Sequence, residues 1–166
     1  RSFRGALSHS QYKRKYRVSV SKRKLIASRK SARFFLIQAL YEWQIAQSSL
    51  NEISANLAAD NEKFAQANSE YFHELLKNIV QKRSELDNTI APFLDRDVTQ
   101  VDPIEHAILW LGTYELQYQL DIPYKSVINE AVELAKQFGA EGSHRYVNGI
   151  LDKIAKFFQV SVDYLL

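Results

Sequence analysis

The residues of this chain that could do covalent chemistry are few and badly placed for it. The four histidines, His9, His73, His106 and His144, are scattered without metal-ligand spacing. There is no cysteine, which removes thiolate catalysis, disulfides and cysteine-ligated metals and fits a reducing compartment. No P-loop, dinucleotide-binding or HExxH pattern occurs. Glu115 falls on the apolar face of an expected helix, where a carboxylate is either a tuned acid or, more commonly, a buried acceptor met by a donor from a neighbouring helix. No catalytic residue, metal ligand or cofactor site is therefore assigned. The chemistry that remains is ionic. Twelve of the 22 Lys and Arg residues lie between Arg1 and Arg33, ahead of the first acid, Glu42. Residues 34–166 then hold the other ten basic side chains against all 19 acidic ones, a balance of minus nine beside an arm of plus twelve. An acid-free basic arm on an acidic body suits a polyanion, because each phosphate it neutralises releases counterions. The same composition also resembles an organelle-targeting leader, so both readings stand at this level.

These groups must be carried by helices. Alternating apolar and polar runs are absent, three prolines are present in 166 residues, and no apolar run approaches the roughly 18 residues of a membrane span. Ala32, Phe35, Leu36, Ala39, Leu40 and Trp43 draw one stripe, which predicts a first helix from near Ser28 to Gln47 with Arg29, Lys30 and Arg33 on its opening turns. A second stripe of Phe34, Ile37, Tyr41 and Ile45 lies about half a turn away, so this helix is either buried on two sides or offers a docking face. Residues before Ser28 have no sustained period and read as a flexible extension. Residues 48–67 read as a short helix or two with loops. A long helix runs from Ser69 to Pro92, then a polar hinge to Asp102. Asp102 should cap the next helix, with Pro103 first inside it and Glu105 closing a capping box. Last comes a helical hairpin over 122–158, with Gly139 expected as a left-handed helix end and Ser143 as the next cap. His144, Arg145, Tyr146 and Asn148 crowd its second start.

Three segments carry a family resemblance: SARFFLIQALYEWQ at 31–44, AILWLGTYEL at 107–116, and IPYKSVINEAVELAKQFGAEGSHRYVNGILDKI at 122–154. Together they resemble the transcription antitermination factor NusB family, from the first helix to about Phe158. The resemblance implies an all-α bundle of two small helical subdomains, 28–95 and 102–158, after a basic arm at 1–27 and before a tail at 159–166. It implies no enzyme, but a cytoplasmic RNA-binding adaptor of the transcription elongation complex, which joins NusE to recognise single-stranded boxA-type RNA in ribosomal RNA transcripts. Residue by residue, it places Arg29, Lys30, Arg33, Arg145, Tyr146 and Asn148 at the RNA, and Tyr41 and Glu105 at NusE. Ser31 and Trp110 depart from the family pattern, which has basic residues at both places. Two other classes fit the same residues: the RNA-binding domain of a ribosomal RNA methyltransferase, which would need an appended cofactor domain, or a protein-binding helical module behind a targeting leader.

Overall fold

The first helix is anchored where its apolar stripe begins. Ala32, Phe35, Leu36, Ala39 and Leu40 are all buried, and the backbone N–H of Asn68 donates to the Ser28 carbonyl at 3.2 Å, tying the helix to a later loop. A computed structural model of the chain describes residues 8–165, without the side chains at 9, 12, 15–20 and 160–165. Residues 1–7 and Leu166 lie outside it, with whatever was expected of them. The helices follow as α1 (His9–Ala46), α2 (Leu50–Asp60), α3 (Ser69–Ile90), α4 (Pro103–Tyr118), α5 (Tyr124–Phe138) and α6 (Ser143–Leu165). Short 3-10 segments stand at Glu62–Gln66, Ala91–Phe93 and Val98–Gln100, and there is no strand among the described residues. No described helix is long and apolar enough to cross a membrane.

α1 starts at His9, well before Ser28. Ser8 caps it in a capping box with Gln11, and the stretch to Ala46 holds neither glycine nor proline. Once packing from Ala32 onward has fixed several turns, each further residue adds one hydrogen bond without a new nucleus, so the helix extends through a segment that has no core stripe. At the other end, α6 continues through most of the stretch read as a tail.

α4 is the centre of the molecule. Every residue from Ala107 to Glu115 is buried, so α4 is enclosed on all sides rather than on the one face its period suggested. One contiguous core draws on α1 to α6, joining the two helical halves. α6 crosses α4 so closely that a Cβ at Gly112 would stand 2.6 Å from Cδ1 and 2.8 Å from Cδ2 of the fully buried Leu151. Gly112→Ala is expected to lower unfolding stability by about 1–3 kcal/mol through overpacking, readable as a shift of the urea midpoint at constant m-value.

The hairpin turn differs from its sequence reading. Gly139 is extended, at φ −84° and ψ 167°, and its lack of a side chain serves contact instead, since a Cβ there would lie 2.6 Å from the Ser143 Cβ. The left-handed residue is Gly142, at φ 86°. Ser143 is the first residue of α6 rather than its cap, and the Gly142 carbonyl accepts from Arg145 and Tyr146 N–H groups. At α4 the Asp102 carboxylate does cap, accepting from the N–H of Ile104 at 2.9 Å and of Glu105 at 3.3 Å. The Glu105 side chain does not return to close a capping box.

Candidate nucleic-acid and partner interface

The basic turn of α1 divides into one buried and two accessible cations. Arg33 is only 5% exposed and Glu115 only 1%. Arg33 Nε donates to both Glu115 oxygens, at 2.9 and 3.1 Å, and Nη2 donates to Oε2 at 2.9 Å. The Tyr71 hydroxyl donates to the same carboxylate in a short hydrogen bond. Burial works against the charge on Arg33, yet the adjoining Glu115 outweighs it and raises the guanidinium pKa. Burial, and then Glu115, push the Tyr71 hydroxyl well above its ordinary range. The placement of Arg33 removes it from the RNA-facing set: its donors are committed inside the core, and withdrawing them would strand a buried carboxylate. Glu115 is the satisfied acceptor that its position suggested.

Arg29 and Lys30 face outward. Arg29 pairs with Asp121 at 3.0 Å and lies over the Tyr71 ring, with its guanidinium carbon 4.9 Å from the centroid. Its Nε is buried with no hydrogen-bond partner among the described residues. Lys30 is the freer cation, its side chain 59% exposed and its Nζ 4.0 Å from Glu130. Beside it opens a groove of about 240 Å³, lined among others by Lys30, Ser31, Phe34, Lys63, Glu130 and Leu134. The lining sets Lys30 and Lys63 against Glu130 and Glu133 over an apolar, partly aromatic floor, so the lysines can meet phosphates at the rim while the groove itself carries no net positive charge. Tyr71 was legible only as core; its ring and hydroxyl in fact position both arginines of this turn.

The second stripe of α1 is split by its neighbours. Ile37 is fully buried, while Phe34 is half-buried and packs on Phe138 with ring centroids 4.9 Å apart. Tyr41 (41% exposed) and Ile45 (61%) remain outside. Gln44 Nε2 donates to the Pro103 carbonyl at 2.9 Å, which sets this end of α1 against the start of α4. Tyr41 lies one turn before Gln44 and Glu105 two residues after Pro103, so both mark the same crossing. Trp43 and Trp110 meet there with ring centroids 6.4 Å apart, and Arg83 lies over the Trp43 ring. Burial first, then the neighbouring Asp102, raise the Glu105 carboxyl pKa, which the nearby Ser143 hydroxyl only partly offsets.

The first turn of α6 reaches the same region. Arg145 and Asn148 are exposed, and Tyr146 is half-buried with the guanidinium of Arg96 4.8 Å from its ring centroid. Arg96 is a participant the sequence reading missed, since it sat within a stretch read only as a hinge. The Phe34–Phe138 contact sets the end of α5 against α1 one turn beyond Lys30, and α6 begins just past that end. Tyr146 lies against Arg96 instead, and no hydrogen bond or ion pair joins Lys30 to Arg145, Tyr146 or Asn148 among the described residues.

The NusB family model matches residues 30–156. The chain belongs to the NusB family. It is 48% identical over 132 residues to the transcription antitermination protein NusB of Pasteurella multocida, a match covering 80% of this chain and 91% of that protein. The NusB of Pseudoalteromonas atlantica is likewise 48% identical, over 78% of this chain and 92% of its own. Among solved structures, NusB of T. maritima superposes with a TM-score of 0.67 at 30% identity, over 77% of this chain and 90% of that one. The crystal structure of the antitermination factors NusB and NusE in complex with dsRNA contains a chain that matches at TM-score 0.68 and 26% identity, over 78% and 97%. Within the NusB frame the Trp110 departure has a physical reading. The Trp110 indole N–H donates to Asp87 at 2.8 Å, and His106 Nε2 lies 2.6 Å from the same oxygen, so a carboxylate that an arginine could hold is held by two aromatic rings. The family match begins at residue 30, so the first half of α1 lies outside it.

Proposed function

We propose that this NusB-family chain is a noncatalytic antitermination factor that, with NusE, recognises boxA-type single-stranded RNA in ribosomal RNA transcripts. The observation that carries the reading is the layout of α1. A basic turn at Arg29 and Lys30 is followed, about three turns on, by the exposed Tyr41 and Ile45, and the buried Arg33–Glu115 pair clamps the helix between them. Lys30 and the groove beside it, with Arg145, Tyr146 and Asn148, form the RNA face; Arg29 assists from its seat on Tyr71. Tyr41 and Glu105 form the NusE face. Arg33 acts as scaffold for both.

Because both faces belong to one clamped helix, partner and RNA binding should be coupled, and reciprocally so. Labelled boxA-type RNA is titrated at fixed salt with the chain, with NusE and with the mixture, then again with a scrambled sequence. Tighter binding by the mixture than by either protein, on the boxA-type sequence only, is expected. Equal affinities for chain and mixture, or for both RNAs, would reject the reading. The double variant Arg29→Glu, Lys30→Glu should weaken RNA binding and lower the slope of log affinity against log salt by roughly 0.7 per lost contact on a single strand. Its helical circular dichroism should stay that of the unaltered chain, and Lys30→Glu alone, at an exposed side chain, should leave the unfolding midpoint unmoved as well.

A further inference from the structure

The half of α1 that precedes the family match is a helical rod whose described side chains before Ser28 are all exposed. Residues 21–27 are all exposed, and the Asn68-to-Ser28 hydrogen bond marks where the helix meets the body. From residue 9 to 27 it is roughly 28 Å long at 1.5 Å per residue. Taking about 100° per residue, the exposed Lys13, Arg14, Lys22, Arg23 and Lys24 point to about 0°, 100°, 180°, 280° and 20° around the axis. The charge therefore lies on every side. A flat anionic surface such as a membrane meets one face of a helix and needs an apolar face to insert; the only large apolar side chains described as exposed on this rod, Leu25 and Ile26, are adjacent and continue into no stripe. A single strand likewise follows one track. A helix that is basic all round is matched by a ligand that presents phosphates on two sides at once, which is what the two strands of a duplex do across a groove.

We infer that residues 9–27 form a second RNA-binding element that lodges in the groove of a duplex RNA segment adjoining the single strand, gripping both phosphate backbones without reading bases. The inference rests on the RNA-binding reading above and adds to it a separate site with a different RNA class. Absence of glycine and proline from Ser8 to Ala46 makes the rod continuous with the clamped part of α1, so the duplex is held at a fixed bearing to the single-strand site.

The full chain is tested on three RNAs: a boxA-type single strand, the same strand joined to a hairpin stem, and the hairpin alone. The joined RNA should bind at least about tenfold tighter than the single strand. Lys22→Glu, Arg23→Glu, Lys24→Glu should abolish that advantage and weaken hairpin binding, lowering its salt slope by roughly 0.7–0.9 per residue, while single-strand affinity stays within about twofold. Ser21→Pro keeps every charge but breaks the rod, and should also remove the advantage. Neither variant should move the unfolding midpoint, because these positions are exposed. A wild-type chain with no hairpin advantage would overturn the inference, as would equal losses on the single strand and the joined RNA, or an advantage that survives Ser21→Pro. A chain that grips the hairpin through the arm but not the single strand would instead sink the boxA reading and leave this one standing.

Discussion

Glu115→Ala should cost about 3–5 kcal/mol of unfolding stability, and Arg33→Ala a similar amount, because each leaves the other charge buried and alone. The effect follows from the geometry: three hydrogen bonds of 2.9 to 3.1 Å join a guanidinium and a carboxylate that are almost wholly removed from water. Tyr71→Phe removes one further bond to that carboxylate and should cost less, about 1.5–3 kcal/mol. An apolar replacement of both charges, Arg33→Met with Glu115→Leu, should recover most of the loss, since such pairs often do no better than well-packed hydrocarbon. Urea unfolding of the four variants checks the set. Single-variant losses below 1 kcal/mol would show that Arg33 is not committed to the core. The consequence for RNA work is direct: a variant that reverses Arg29, Lys30 and Arg33 together would lose binding by unfolding, so the RNA role is measured with Arg33 intact.

The second large effect belongs to the partner face. Tyr41→Asp is expected to weaken NusE binding by about 2 kcal/mol or more, roughly thirtyfold, because an exposed amphipathic ring that can anchor a partner becomes a carboxylate that docking must desolvate. The free protein should lose well under 1 kcal/mol, since Tyr41 is already exposed. Ile37→Asp, one turn earlier on the same stripe, should do the reverse and unfold the chain, as Ile37 is fully buried. Isothermal titration with NusE and a urea midpoint for each variant separate the two. A destabilised Tyr41→Asp chain would mean that this ring is core as well.

The contrast between Ile37 and Tyr41 shows where sequence reasoning succeeded and where it stopped. The stripes of α1, α3, α5 and α6 were legible because each repeats over several turns, and their residues are the core. What periodicity does not encode is the neighbour. The second stripe of α1 looked uniform, but Phe138 of α5 packs on its first residue, Phe34, Ile37 is fully buried, and its last turns stay open. Arg33 looked like the end of a charge run because it follows eleven basic residues without an acid; yet it stands one turn before Ile37 and two before Leu40, both fully buried. That alignment, taken with the lone carboxylate on the face of α4, would have paired Arg33 with Glu115. The start of α1 was missed for another reason. Ser8 and Gln11 form a capping-box signature, but it opens a segment with no apolar period, and periodicity was the signal being followed.

The crossing of α1 and α4 also gives the molecule an optical character. The chain has two tryptophans, and both lie in the one pair, Trp43 with Trp110, on the side of the α1–α4 crossing that faces α3, with Arg83 over the Trp43 ring. Its indole emission is therefore a local signal from that packed crossing, to which the arm and the Lys30 groove contribute none. Unlabelled chain should report loosening of this crossing in a urea titration as a change in emission wavelength or yield, while a fluorophore placed on the RNA follows binding in the same cuvette.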